Sequence, residues 1–164
     1  MANLAKTVPR SSALRLAGIT SLVVLALDQL SKNWARDNLQ NDPRQIIGDW
    51  LGVRYSENTG AAFSSFTGSG PLIAILAIGV VVFLVYLVNR TNRRVDLIAL
   101  GLILGGALGN LTDRVVRGEG VFDGAVVDWI DWWFIPTFNI ADAALNVGVA
   151  TLLIAALFFP EKHE

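Results

Sequence analysis

Four apolar segments of membrane length constrain this chain more than any other feature. They run over about residues 14–30, 71–88, 95–111 and 143–159. A helix needs roughly 20 predominantly apolar residues to cross the hydrocarbon core of a bilayer. The chain has 164 residues, of which 53% are hydrophobic and 16% charged, and this composition is too apolar for an ordinary soluble domain. We therefore predict a single membrane-embedded domain, 1–164, with four transmembrane helices.

Basic residues predict the orientation of these helices. They precede the first span without any acidic neighbour and crowd the short connection between the second and third spans; they are Lys6, Arg10, Arg15, Arg90, Arg93 and Arg94. Short cytoplasmic connections are enriched in lysine and arginine. We therefore expect both termini in the cytoplasm, and the two longer connections, 32–70 and 112–142, on the outer side.

The first span has an alternative interpretation as a cleaved signal peptide, because basic residues precede a short apolar run, 17–27. No small-x-small cleavage motif follows that run, and three further spans come after it. These two observations favour a transmembrane helix.

Two further patterns complete the predicted fold class. Gly101, Gly105 and Gly109 recur at four-residue intervals in the third span, a spacing that lets membrane helices approach closely. The outer connections mix aromatic and β-branched residues with glycine over 44–66 and carry an aromatic cluster over 129–138, which is typical of chain at a membrane surface. We predict an all-α integral membrane protein: four transmembrane helices with a small extracytoplasmic β-sheet and an interfacial helix.

Missing residue types narrow the chemistry. The chain has no cysteine, which excludes disulfides, thiolate metal sites and cysteine nucleophiles. Its one histidine, His163, is the penultimate residue and is expected on the cytoplasmic side. A histidine-based zinc site or a Ser-His-Asp triad would have to be built from that tail. We therefore predict no metal and no cofactor, and carboxylates, amides and basic side chains remain to carry any chemistry.

Asp128 and Asp142 are the strongest candidates for that chemistry. They lie fourteen residues apart in an aromatic stretch that leads into the fourth span. Two carboxylates that converge in an apolar environment can share one proton, the arrangement with which an aspartic protease activates water. Each also has a structural explanation. Asp142 would stabilise the start of the fourth helix if Asn139 is its N-cap, and Asp128 could be a solvated strand residue.

Other polar residues cluster on the predicted outer side. Asp28 and Lys32 are four residues apart and share a helix face, either as a helix-end ion pair or as part of a site. Asn58 and Gly60 are predicted to lie in a turn that either holds a substrate or closes a hairpin. At the end of the third span, Asn110, Asp113 and Arg114 form either a helix-terminal salt bridge or a support for a catalytic carboxylate.

Several of these segments resemble the motifs of one known family, the lipoprotein signal peptidases, also called signal peptidase II. The matching segments are Asp28-Gln29-Leu30-Ser31-Lys32, Asn58-Thr59-Gly60-Ala61-Ala62-Phe63, Gly105-Gly106-Ala107-Leu108-Gly109-Asn110 with Asp113-Arg114, Val126-Val127-Asp128, and Phe138-Asn139-Ile140-Ala141-Asp142. They span most of the chain in the family's order.

The resemblance implies a membrane aspartyl endopeptidase that removes signal peptides from bacterial prolipoproteins, cutting before the diacylglyceryl-modified cysteine. Asp128 and Asp142 would be its catalytic pair. The other motif residues would line or support the site: Asp28, Lys32, Asn58, Gly60, Asn110, Asp113, Arg114, Asn139 and Ala141. We expect Asp142, near a helix N-terminus, to be the ionised partner, and Asp128, among tryptophans, to be the protonated one.

The resemblance also implies location and partners. The chain would be a multi-pass, monomeric protein of the bacterial cytoplasmic (inner) membrane with its active site at the outer face. Its partners would be the lipidated prolipoprotein, membrane lipid and inhibitory peptide antibiotics of the globomycin type, with no nucleic acid.

Two alternatives remain. The stretch 115–127 is longer than the family pattern suggests, which makes Asp123 a rival for the first catalytic position. A small membrane transporter or proton-coupled carrier would also use membrane carboxylates, although it would favour acids near the bilayer midplane. A Ser-Lys peptidase built on Ser31 and Lys32 is disfavoured, because adjacent side chains on a helix point in different directions.

Overall fold

Four helices and one four-stranded sheet make up the described part of the computed structural model, residues 8–59 and 70–159. The helices are α1 (Arg10–Leu39), α2 (Gly70–Val88), α3 (Arg94–Val116) and α4 (Ile140–Phe158). The strands are β1 (Arg44–Ile47), β2 (Leu51–Asn58), β3 (Val126–Trp132) and β4 (Ile135–Phe138). All four helices are long and apolar enough to cross a membrane. The predicted four-helix membrane fold with a small sheet is confirmed.

The helices extend beyond the predicted apolar segments. The helix α1 has 30 residues and is therefore about 45 Å long, more than the roughly 30 Å of the hydrocarbon core. It continues past Asp28 and Lys32 because these charges pair inside the bundle, where both side chains are fully buried. The predicted i, i+4 ion pair is therefore present, but it lies within α1 and not at the end of the helix.

The helix α3 packs against its neighbours along the predicted glycine stripe. A Cβ atom on Gly105 would lie 2.7 Å from the Ser21 carbonyl oxygen of α1, and one on Gly109 would lie 2.5 Å from an Asp28 carboxylate oxygen. On another side of α3, a Cβ atom on Gly106 would lie 2.5 Å from the Ala141 carbonyl oxygen of α4. Only glycine permits these approaches, which bring polar residues of α1, α3 and α4 together at one end of the bundle.

The sheet is antiparallel with the strand order β1-β2-β3-β4. Ser56 of β2 is paired with Asp128 of β3. The aromatic segment forms β3 and β4, and the described residues of the two outer connections contain no interfacial helix. Trp129 contacts Trp34 of α1 edge to face. Because neighbouring strand residues point to opposite faces, Trp129 lies on the other side of the sheet from Asp128.

Candidate active site

The β3–β4 hairpin brings the two candidate aspartates together. Asp128 is the third residue of β3, and β4 leads through Asn139 directly into α4, where Asp142 is the third helical residue. The hairpin therefore turns the chain back, so that the start of α4 lies beside β3. The predicted convergence of Asp128 and Asp142 rests on this turn, and both side chains line one cavity.

Asn139 contacts both aspartates and is fully buried. Its Oδ1 accepts from the Asp142 backbone N–H at 2.9 Å, and its own N–H donates to Asp142 Oδ2 at 3.2 Å, which completes a capping box. Its Nδ2 donates to Asp128 Oδ1 at 2.6 Å. The predicted N-cap is confirmed. Capping and a place in a carboxylate pair are therefore compatible roles for Asp142.

Each carboxylate accepts hydrogen bonds at both of its oxygens. Asp142 Oδ1 accepts from Asn110 Nδ2 at 2.8 Å, opposite the Asn139 N–H on Oδ2. Asp128 Oδ2 accepts a long bond of 3.4 Å from Asn58 Nδ2. Asn58 is the last residue of β2 rather than part of a turn. These amides hold the two carboxylates without supplying a formal positive charge.

Burial distinguishes Asp128 electrostatically. Its exposed fraction is 4%. Burial raises the pKa of Asp128 to about 6, with a further contribution from the negative charge of Asp142, and the bonds from Asn139 and Asn58 oppose the rise. An Asp pKa of about 6 is well above the ordinary range, so Asp128 keeps its proton to a higher pH than an exposed aspartate does.

A second group of buried charged residues contacts the backbone next to the two aspartates. Lys32 Nζ lies 2.8 Å from Asp28 Oδ2 and 2.8 Å from Asp113 Oδ2, and all three side chains are fully buried. Asp28 Oδ1 accepts from the Ala141 N–H at 2.9 Å, and Asp113 Oδ2 accepts from the Val127 N–H at 3.1 Å. These residues are called the lysine cluster below: Asp28, Lys32 and Asp113. The cluster attaches α1 and α3 to the residues that directly precede Asp142 and Asp128.

Arg114 and Asp123 occupy different positions relative to this site. Arg114 is buried, lines the cavity and donates to the Gly124 carbonyl at 3.2 Å. Asp123 accepts the Gly120 N–H at 3.0 Å on both of its oxygens and closes the loop after α3. It is not among the described residues that line the cavity. The structure therefore favours Asp128 over Asp123 as the partner of Asp142. Gly60 lies outside the described residues.

The cavity beside the two aspartates has a volume of about 750 Å³. One part of its wall is polar: Asn58, Asn110, Arg114, Asp128, Asp142 and Asn146. The rest is mainly apolar and includes Ile73 and Ala77 from α2, Leu111 from α3, Leu145 and Val147 from α4, Val126 from β3, and Ile135 and Phe138 from β4. A site of this kind can hold an extended polar chain next to hydrocarbon.

Sequence analysis missed several residues of the site. Asn146 lies one helical turn after Asp142 and lines the cavity; its polar side chain at this spacing in an apolar span was the signal that could have identified it. Arg117 Nε donates to Asp113 Oδ1 at 2.8 Å. Gln29 Nε2 donates to Asp113 Oδ1 and to the Gly109 carbonyl, both at 3.0 Å. The Arg117–Asp113 pair has the i, i+4 spacing of a helix face, a signal that could have identified it. The partners of Gln29 lie 80 and 84 residues away, too far along the chain for a local pattern to reveal.

Most of the chain is similar in sequence to one family of known proteins. Residues 20–158 match the family described as signal peptidase (SPase) II. The lipoprotein signal peptidases of Rhodococcus jostii strain RHA1 and Streptomyces griseus subsp. griseus are 42% and 41% identical, over 82% and 85% of this chain and 69% and 73% of their own lengths. That of Mycobacterium tuberculosis strain H37Rv is 39% identical over 88% of this chain and 72% of its own length.

Two solved structures share the fold. One bacterial membrane enzyme superposes with a TM-score of 0.79 and 27% identity, covering 99% of both chains. A second has a TM-score of 0.77 and 29% identity and covers 96% of this chain and 99% of its own. Together with the four membrane-length helices, this likeness defines a multi-pass bacterial membrane protein. The chain belongs to the signal peptidase II family and is accordingly a membrane peptidase.

Proposed function

We propose that this protein is an aspartic endopeptidase that removes signal peptides from diacylglyceryl-modified prolipoproteins, cleaving before the lipidated cysteine. The observation that carries the proposal is the pair of carboxylates, Asp128 and Asp142, held by one asparagine at the wall of a cavity of about 750 Å³. The names of the related lipoprotein signal peptidases support the class of substrate.

The proposed mechanism divides the chemistry between the two aspartates. Asp142, whose two oxygens accept N–H donors at the start of a helix, is ionised and takes a proton from the attacking water. Asp128, whose raised pKa of about 6 favours its protonated form, donates a hydrogen bond to the scissile carbonyl and transfers that proton to the carbonyl oxygen as the water attacks. Attack then forms a neutral gem-diol intermediate. Collapse of the intermediate breaks the C–N bond while the leaving amine receives a proton from the pair.

The composition of the cavity wall supports a lipidated substrate. Its polar part can contact the peptide near the scissile bond. Its apolar part, which includes Ile73 and Val147, can contact the acyl chains. Acyl chains contribute roughly 0.8 kcal/mol of membrane partitioning per buried CH₂ and also fix the depth of the bond to be cut. We further propose that the protein acts as a monomer, and that peptide antibiotics of the globomycin type compete for this cavity.

The proposal is tested by cleavage of one prolipoprotein peptide, with and without its diacylglyceryl group, by the purified protein. We expect removal of the lipid to lower kcat/KM at least about 100-fold. Asp128→Asn and Asp142→Asn should each abolish turnover, because an amide cannot complete a pair that shares a proton. The matched control is Asp123→Asn, which should stay within about 3-fold of wild type.

The outcomes separate the parts of this proposal. Equal rates on the lipidated and unlipidated peptides would contradict a role in lipoprotein processing and would indicate a general membrane protease. Normal turnover by either pair variant would refute the aspartic mechanism. Loss of activity in Asp123→Asn alone would transfer the first catalytic position to that residue.

We also propose that both termini are cytoplasmic and that the site faces the outer side. Arg10 of α1 and Arg90 of the α2–α3 turn lie at the end of the bundle opposite the lysine cluster, where Arg10 donates to Asn89 Oδ1 at 3.2 Å. Basic residues of this kind stay on the cytoplasmic side. A cysteine introduced by Asn92→Cys, in a chain that has no other cysteine, should be labelled only after cells are opened. Labelling in intact cells would contradict this orientation.

The transporter alternative is not supported by the same observations. The family is one of peptidases. The buried carboxylates of the site lie at one end of the bundle, next to the sheet, rather than along a path through it. Cleavage of the lipidated peptide without any ion gradient distinguishes the two functions.

A further inference from the structure

Lys32 makes three directed contacts inside the bundle. Its ammonium group lies 2.8 Å from Asp28 Oδ2, 2.8 Å from Asp113 Oδ2 and 2.8 Å from Asn110 Oδ1. A lysine ammonium has three donors and no acceptor. All three of its protons are therefore directed at oxygen atoms, and Asn110 is the one neutral partner among them.

This contact determines which way the Asn110 amide faces. An asparagine side chain has a donor end and an acceptor end that can exchange places by a flip. Lys32 can only donate, and Asn139 Nδ2 also donates to Asn110 Oδ1, at 3.2 Å. The oxygen must therefore face Lys32 and Asn139, which leaves the NH₂ group of Asn110 directed at Asp142 Oδ1, 2.8 Å away. A flipped amide would place an oxygen against the Asp142 carboxylate.

We propose that Lys32 is a positioning residue for the carboxylate pair, which it orders through Asn110: the lysine keeps the amide NH₂ on Asp142, so that Asp142 carries the negative charge of the pair. The inference rests on the proposed function, because it concerns the division of roles between the same two aspartates. It assigns Lys32 a task beyond neutralising Asp28 and Asp113.

Other charges near the pair must be separated from this effect. From α1 these are Asp28 and Lys32; from α3 Asp113, Arg114 and Arg117; and from β3 Asp128 itself. Lys32 also lowers the pKa of Asp128 through space, against the larger opposite effect of burial. A through-space effect does not need Asn110, whereas the proposed effect does.

A double-mutant cycle makes this distinction. Lys32→Met and Asn110→Ala are made singly and together, and kcat/KM on the lipidated peptide is measured against pH. We expect Lys32→Met to lower kcat/KM about 10- to 100-fold at neutral pH in the wild-type background but no more than about 3-fold in the Asn110→Ala background. It should also move the acid limb of the profile to higher pH, because the singly ionised pair forms less readily without its donor. Equal losses in the two backgrounds would overturn the proposal.

One further variant, Asn110→Asp, keeps the test valid if Lys32→Met fails to fold. Asn110→Asp retains an oxygen toward Lys32 but replaces the donor toward Asp142 by a second oxygen, so the fold should be kept while kcat/KM falls and the acid limb moves to higher pH. A wild-type profile for Asn110→Asp would also overturn the proposal. The matched control is Arg36→Met, which removes an exposed cation one turn further along α1 and should leave the profile unchanged.

Failure of the aspartic mechanism and failure of the positioning role of Lys32 give different results. If Asp128→Asn or Asp142→Asn retains normal turnover, the proposed function fails whatever the cycle shows. If both are inactive while Lys32→Met and Asn110→Ala act independently of each other, only the positioning role of Lys32 fails.

Discussion

Two pairs of aspartates lie within one end of this bundle, and they are held in different ways. Asp28 and Asp113 share a lysine ammonium, 2.8 Å from each. Asp128 and Asp142 share an asparagine, whose amide and backbone contact both. An ammonium compensates negative charge, so the first pair can stay ionised in a buried place. A neutral amide orients the carboxylates of the second pair but does not compensate their charge. This favours retention of a proton by that pair.

The comparison assigns the two pairs different duties. The lysine cluster is fully buried and joins α1 and α3 to the Ala141 and Val127 N–H groups. The asparagine-held pair lies at the wall of the cavity, where a substrate can reach it. The buried ion pairs and the proposed catalytic carboxylates are thus neighbours, separated by Asn110, which contacts Lys32 on one side and Asp142 on the other.

The largest expected effect on stability comes from removing the shared cation. Lys32→Met leaves Asp28 and Asp113 buried without it, and breaking a buried pair in this way costs about 3–5 kcal/mol. Adding Asp28→Asn should recover part of the loss, since Arg117 still contacts Asp113. Thermal unfolding in detergent measures both changes. Arg36→Met, which removes an exposed cation, should change stability by less than about 0.5 kcal/mol. If Arg36→Met lost as much stability as Lys32→Met, the loss could not be attributed to the buried position of Lys32.

The second prediction concerns pH and the asparagine-held pair. A carboxyl whose pKa is about 6 in the folded protein and ordinary when unfolded contributes stability that is complete at low pH and is lost as pH rises through 6. Asp128→Asn removes this loss. It should therefore raise stability by on the order of 3 kcal/mol at pH 8 and by little at pH 4. Melting temperatures of wild type and variant at the two pH values provide the measurement.

The control for this experiment is Asp123→Asn, which removes a carboxylate that accepts a backbone N–H outside the cavity. It should show no stability gain between pH 4 and pH 8. A gain in Asp128→Asn that is the same at both pH values would mean that ionisation of Asp128 is not what destabilises the folded protein.

A smaller effect is expected from the glycine beside the lysine cluster. A Cβ atom on Gly109 would lie 2.5 Å from Asp28 Oδ2 and 3.2 Å from the Ala141 Cβ. Gly109→Ala should therefore displace Asp28 and cost about 1–3 kcal/mol by overpacking. Gly79→Ala, at a helix position with nothing within 4 Å of the new Cβ, is the matched control and should be neutral or slightly stabilising. Equal stabilities for the two variants would show that the cluster tolerates displacement.

Local patterns in the sequence predicted a large part of this arrangement. The number of spans follows from the length of the apolar runs, and the Asp28–Lys32 contact follows from their spacing on one helix face. The capping role of Asn139 follows from its position before an apolar run with Asp142 three residues later. Each of these features depends on residues that are close along the chain, which is why sequence alone reveals them.

The errors have one common cause. The first apolar span was predicted over about residues 14–30, but the helix that contains it continues to Leu39. An interfacial helix was predicted for the outer connections, but among the described residues the aromatic segment lies in β3 and β4, where strand pairing satisfies its backbone groups. In both cases a distant partner overrides the local preference.

The sequence by itself determined that this chain spans a membrane four times and that carboxylates and amides, not histidine or cysteine, are available for its chemistry. Only the tertiary structure decided which carboxylates have their charge compensated by a nearby cation and which are held by neutral amides. Lys32 and Asn110 are 78 residues apart, and Asp28 and Ala141 are 113 apart. The state of a buried acid depends on the charge and the donors within a few ångströms of it, and here those neighbours come from three different helices and two strands.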